Sequence, residues 1–178
     1  FKFLKSELEN KVVLIPYHHV NFTRVTRTRK KITTCGYVGV PRGRHRRIND
    51  EVKRNLKKIG FKFEPLFSYQ SRKDIINYYK KIDIQVIGYF DFHKDSPFRH
   101  PTKIINAASF GIPTIAGPTL GFKEVEQYYI PADNIEDLLE AAEKMKDQKY
   151  YNLWSAKVKK AAEKYHISKI AKLYQKLV

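Results

Sequence analysis

The feature that most restricts what this chain can fold into is an alternation. Short apolar runs rich in β-branched and aromatic residues take turns with stretches whose apolar residues recur at intervals of three and four. Lys11-Val12-Val13-Leu14-Ile15-Pro16 is such a run, stopped by proline, and reads as a buried strand. Ile32 to Val38 reads as a second strand, closed by Gly39 and a loop carrying Pro41 and Gly43. Ile48, Val52, Leu56 and Ile59 then mark one helical face, and Gly60 ends it. Phe61 to Leu66 is a third strand. Ser71 followed by Asp74 has the form of a capping box and opens a helix that buries Ile75, Ile76 and Tyr79. Asp83 to Tyr89 is a strand, and a polar, aromatic loop covers 90–100. Pro101 suits the first position of a helix running to Gly111. Ile112 to Ala116 is a strand and Gly117 to Gly121 a tight loop. Asn134 with Asp137 caps a helix through Met145, and two helical stretches, 149–165 and 167–177, finish the chain. Leu153, Trp154 and Val158 read as the buried face of the first of these.

Strands alternating with helices at this spacing call for an α/β fold, a Rossmann-like parallel sheet with helices on both faces. The 178 residues suffice for one domain, 1–178, with the helical segment 149–178 packing back on it. The chain opens on Phe1 rather than Met, which reads as a piece of something longer. No apolar run approaches the roughly 20 residues of a membrane span, and Lys2, Lys5, Glu7 and Glu9 interrupt any signal-peptide pattern. Cys35 is the sole cysteine, so an internal disulfide is excluded and a reducing, cytoplasmic setting is expected. In open parallel sheets ligands bind beyond the carboxyl ends of the strands. The segments to watch are therefore 39–47, 67–71, 89–102 and 117–122.

Charge narrows the ligand. Lys and Arg total 35 against 18 acids, a formal net charge of +17, which favours anionic partners. The lysines read equally well as a solvated surface. The arginines group at Arg24, Arg27, Arg29, Arg42, Arg44, Arg46 and Arg47, which that reading explains less well. Gly36-Tyr37-Val38-Gly39-Val40-Pro41-Arg42-Gly43-Arg44 is either a loop whose backbone approaches phosphate while arginines fork onto its oxygens, or a flexible basic turn. Its glycines match neither the dinucleotide fingerprint nor a Walker A loop. The second candidate is His100-Pro101-Thr102-Lys103 with the helix that follows. There, amides and the positive dipole end face the crevice, and Lys103 is a cation in a first turn that disfavours one unless an anion is bound. Asn106, one turn on, either holds ribose hydroxyls or bonds back within the helix. Ala107-Ala108-Ser109 is small enough for a close helix–sheet approach.

Three segments, in order, resemble the carboxy-terminal domain of GT-B-type glycosyltransferases. Val13 to Val20, with its Pro16-Tyr17-His18-His19-Val20 turn, is similar to the strand entering that domain. Gly36-Tyr37-Val38-Gly39 resembles the strand before its first phosphate-contacting loop. Pro101-Thr102-Lys103 through Gly111-Ile112-Pro113 resembles the family's Pro-Ser/Thr-Lys…Glu…Gly-Xaa-Pro block, and Ala132 to Leu177 its closing helices. The resemblance implies a transferase domain, half of a GT-B fold, that binds a nucleoside-diphosphate sugar as donor substrate. It calls for no metal or other cofactor, and the amino-terminal acceptor domain is absent from this chain. Arg42, Arg44, Thr102 and Lys103 would hold the diphosphate, and Asn106, Phe67 and Tyr69 the ribose or base. Gly39, Gly117 and Gly121 would lie on the sugar side. The chain departs from the family at Asn106 and Phe98, where many members carry glutamates.

The resemblance places the catalytic base of many members in the missing domain, so the catalytic residues here are unknown and the fragment alone is expected to be inactive. His18, His19, His93 and His100 read first as structural or surface residues, Asp91 and Asp95 define no site, and the histidines lack metal-ligand spacing. Two other functions fit less well. A glycosyltransferase-like scaffold would explain Asn106 and Phe98. A basic nucleic-acid-binding domain would explain the charge, with Tyr69, Tyr78, Tyr79 and Tyr89 as stacking candidates, but no nucleic-acid motif occurs. The basic 24–31 stretch reads as a solvated loop, with an anionic membrane surface as its alternative partner.

Overall fold

The computed structural model describes residues 12–27, 29–39, 44–88 and 99–177. Five strands form one parallel sheet in the order β2-β1-β3-β4-β5. They are β1 (Thr34–Val38), β2 (Lys62–Leu66), β3 (Ile84–Ile87), β4 (Thr114–Ala116) and β5 (Ile130–Pro131). Between and after them run α1 (Arg44–Lys58), α2 (Arg72–Tyr79), α3 (Thr102–Ser109), α4 (Ile135–Lys144), α5 (Gln148–Ala162) and α6 (Ile167–Gln175). The fold is Rossmann-like α/β.

Each face of the sheet is covered, as a parallel sheet requires. Ile84 and Val86 of β3 join Cys35 and Tyr37 of β1 against Val52 and Leu56 of α1, Leu138 and Ala142 of α4, and Tyr151 of α5. The alternate residues serve the opposite face. There Val38 packs with Tyr78 and Tyr79 of α2 and with Ala107 and Phe110 at the end of α3, while Ile87 meets Ile104 and Ile105. Ala108 turns away from the sheet towards Val158 and Ala162, so the small residues of α3 let α5 approach as well. Pro65 and Pro131 lack an N–H, and both sit in edge strands, where a missing donor costs no ladder bond to a further neighbour.

Local signals set several boundaries. Ser71 and Asp74 form the reciprocal capping box of α2, and Asn134 caps α4 through the Asp137 amide. Other expectations need correction. Residues 12–16 form no strand, and Val13 and Leu14 are 45% and 58% exposed. An apolar run becomes a strand only with a neighbour to bond, and this sheet already ends in edge strands at β2 and β5. Pro101 is the N-cap of α3 rather than its first helical residue, and α1 starts at Arg44. A 3₁₀ segment, Leu120–Tyr128, and the two-residue β5 occupy a stretch that the sequence left without an element. Leu153 is exposed, whereas Val158, five residues on, is buried together with Tyr151 and Ala162 of the same helix.

Residues 17–27 form a strap along α3. Tyr17 meets the His100 ring edge-on beside the start of α3. Val20 N–H donates to Asn106 Oδ1 (2.9 Å), Asn21 Nδ2 to Ser109 O (2.8 Å), and Arg27 N–H to Phe110 O (3.4 Å). The strap thus follows α3 to the amino edge of the sheet. There Arg27 Nη2 pairs with the fully buried Asp83 Oδ1 at 2.5 Å, and Arg29 Nε does so at 3.1 Å. Asp83 Oδ2 accepts the Thr33 and Thr34 amides (2.7 and 2.8 Å), so both carboxylate oxygens are satisfied.

Candidate functional site

The strand order 2-1-3-4-5 reverses direction between β1 and β3. Such a switch point opens a crevice at the carboxyl edge, because the crossovers on its two sides leave towards opposite faces. Gly39 follows β1 there, with φ at 130°, a region that disfavours any side chain. Its N–H donates to Leu66 O at 2.9 Å, which ties the turn to the end of β2 and to the exposed Phe67 and Tyr69 just beyond.

Lys103, in the first turn of α3, reaches this same turn. Its Nζ donates to Tyr37 Oη at 3.0 Å and lies 4.4 Å from the centre of that ring. A Cβ added to Gly39 would stand 3.0 Å from Nζ. Because α3 covers one face and Tyr37 packs with the other, the lysine side chain passes over the end of the sheet. Its backbone is held too. Gln85, fully buried in β3, donates from Nε2 to Lys103 O (2.9 Å) while its Oε1 accepts from Tyr79 Oη (2.8 Å).

Neither α1 nor α3 has an acidic residue in its first turn, whereas α2 carries Asp74 and α4 carries Glu136 and Asp137. No side chain caps α3 either. The positive ends of α1 and α3 therefore face the crevice without a carboxylate of their own first turns, which is the arrangement that favours an anion.

The remaining expected residues fall on both sides. Gly117, buried after β4, donates to Ile87 O at 3.1 Å. At Gly121 a Cβ would collide with the Arg99 backbone, so the loop after β4 lies hard against the entry to α3. Thr102 is half-buried at the start of that helix. Gly39, Phe67, Tyr69, Thr102, Lys103, Gly117 and Gly121 thus share one edge. Asn106 faces the strap, with its Oδ1 taken by Val20, so a ribose role would be left to its amide nitrogen. Arg42, His93, Asp91, Asp95, Phe98 and Tyr89 lie outside the described residues, as does the side chain of Arg44, although its backbone opens α1 beside the crevice.

The arginine group is divided by the fold. Arg24 pairs with Glu163 at 2.7 Å, and Arg27 and Arg29 with Asp83, so these three have carboxylate partners at the other end of the molecule. Tyr78 and Tyr79 are core residues rather than stacking platforms. Among the described residues no helix is long and apolar enough to cross a membrane, and no cluster of His, Cys, Asp or Glu is placed to hold a metal ion.

Sequence reasoning missed Gln85, and named Tyr37 only within the Gly36–Arg44 segment, without its contact to Lys103. A polar residue at the second position of an otherwise apolar strand was the available signal for Gln85, since its amide has to be satisfied by something packed across it. No protein-family model matches the chain, and no curated protein matches it, so what this edge binds has to be read from its own residues.

Proposed function

We infer that the crevice between β1 and β3 binds the diphosphate of a nucleotide-sugar, and that the chain is the donor-binding half of a GT-B-type glycosyltransferase. One observation carries this reading: Lys103 is folded over the end of the sheet onto the Gly39 turn, at a switch point where two helices begin without acids. Lys103 and the acid-free first turns of α1 and α3 put positive potential beside this turn, which a diphosphate would complement. Arg42 and Arg44, on the loop and helix that follow Gly39, would add donors. Phe67 and Tyr69 would flank the base, and Gly117 and Gly121 the sugar. From Phe67 beyond β2 to Gly117 beyond β4 is three inter-strand spacings, roughly 14 Å, a span suited to an extended ligand.

The chemistry such a site supplies is electrostatic. As the bond from the sugar to the diphosphate breaks, charge grows on the departing oxygens, and fixed donors stabilise it without a metal. Acceptor and catalytic base belong to the second domain of that architecture, and the enzyme would work in the cytoplasm or at its membrane face.

A thermal-shift panel of UDP, GDP, ADP and CMP tests the reading. One nucleoside diphosphate should raise the melting temperature in a saturable way. Lys103→Ala and Arg44→Ala should each weaken that response. A basic nucleic-acid-binding surface would give none of this selectivity, and its affinity for polyanions would fall steeply with salt.

A further inference from the structure

The sheet ends at β2, which has β1 on one side and no described strand on the other. The register fixes where its main chain points. Lys62 N–H donates to Thr33 O (2.8 Å) and Leu66 O accepts from Gly39 N–H (2.9 Å), so Lys62, Glu64 and Leu66 direct their groups at β1. Phe61, Phe63 and Pro65 present theirs to the open side. Phe61 N–H closes back on Leu56 O (2.9 Å), and Pro65 has no N–H to offer. Ahead of Pro65 this leaves Phe61 O, Phe63 N–H and Phe63 O as consecutive outward groups, none with a hydrogen-bond partner among the described residues.

A cavity of about 560 Å³ lies beside these groups, lined by Lys53, Lys57, Gly60, Phe61, Lys62 and Phe63. Its rim is cationic. Lys53 and Lys57 are exposed, one turn apart on α1, and neither has an acidic partner among the described residues. Like charges at that spacing weaken a helix. The helix dipole offsets this for Lys57 in the last turn but not for Lys53. Lys62 is already paired with Glu64. Lysine and proline in an edge strand guard it against indiscriminate pairing, and Lys62 and Pro65 account for that. Lys53 and Lys57 lie outside the strand. Their charge turns away a basic segment, including a second copy of this chain at +17, and draws in an acidic one.

We propose that β2 takes up an acidic, extended segment of a partner protein as an added strand. Phe61 O, Phe63 N–H and Phe63 O bond its main chain, and its carboxylates on the α1 side meet Lys53 and Lys57. Pro65 keeps the added strand short, because pairing cannot continue past a residue without a donor. The proposal does not rest on the diphosphate reading, since it uses none of the residues of the Gly39 crevice.

Fluorescence anisotropy tests it, with the full chain and a panel of labelled hexapeptides in which Glu or Asp alternates with Val, Ile, Tyr or Phe. At least one should bind in a saturable manner, and the same peptide with its acids replaced by lysine should not. That peptide should slow hydrogen exchange at the Phe63 amide about tenfold or more, because the amide becomes paired. Methylating the main-chain nitrogens of one alternate set of peptide residues should abolish binding, while methylating the other set should not, since only one set faces β2. Lys53→Glu combined with Lys57→Glu should weaken the peptide about tenfold or more and leave the response to nucleoside diphosphates as it is in the wild type. Should that variant fail to fold, the methylated peptides still decide the matter on the wild-type chain. The proposal is overturned if no peptide of the panel binds, if the Phe63 amide is unaffected, or if both methylated sets bind like the parent. It is also overturned if poly(dT) or phosphatidylserine vesicles bind through Lys53 and Lys57 and the peptides do not.

Discussion

The two edges of the sheet use the same kinds of residue to opposite ends. At the amino edge, Arg27 is 6% exposed and Asp83 not at all, and the carboxylate also takes two backbone amides. Tyr151 Oη donates to Asp83 O at 2.7 Å and closes the cluster. Every group there is matched by another of this chain. At the carboxyl edge, Lys103 rests on a phenol and two helices begin without acidic first turns. The first arrangement is complete in itself and locks the strap to the strands. The second gathers positive potential at a switch point, where we propose that an anion binds. The comparison teaches that an arginine's place in sequence says little about its work, since β1 alone separates the Asp83-bound arginines from Arg44.

The largest effect should come from breaking the complete edge. Asp83→Ala strands a buried guanidinium and two amides, and should cost about 3–5 kcal/mol in urea unfolding. A loss under about 1 kcal/mol would mean that the amino edge is not the locked end. Next is the strap between the edges. His19 is buried, Asn21 N–H donates to its Nδ1 at 3.2 Å, and burial together with the neighbouring His166 lowers its pKa to about 4. The unfolded chain binds that proton already near 6.5, so protonation favours unfolding. Stability should be intact above pH 6.5 and decline as pH falls towards 4, by roughly 3 kcal/mol at most. His19→Gln should flatten that part of the profile. If it leaves the profile unchanged, the strap is not held as described.

At the carboxyl edge the order reverses. Lys103→Ala should change unfolding by less than about 1 kcal/mol while weakening nucleoside diphosphate about tenfold or more. Smallest of all is Arg24→Ala. Its pair with Glu163 is half exposed, so the urea midpoint should not move measurably. A clear shift would extend the locked region beyond Asp83.

Much of this was legible from local pattern. The capping box at Ser71 and Asp74, the Asn134 cap and four of the five strands follow from signals within a few residues of each other. What failed depended on distant partners. Val12 to Pro16 has the composition of a strand but no neighbour to pair with. β5 is too short to leave a periodic trace. Arg27 meets Asp83 across 56 residues, so its group with Arg42 and Arg44 looked functional as a whole. The same limit hid the contacts of Tyr37 and Gln85, which touch Lys103 of α3 from two different strands.

The most direct measurement is calorimetric titration of the nucleoside diphosphate selected by the thermal panel into wild-type protein and Lys103→Ala, each at two salt concentrations. The account predicts one saturable site, about tenfold weaker in the variant, with a shallow salt dependence befitting two phosphates. Equal affinity in both proteins, or no binding by the wild type, would contradict it.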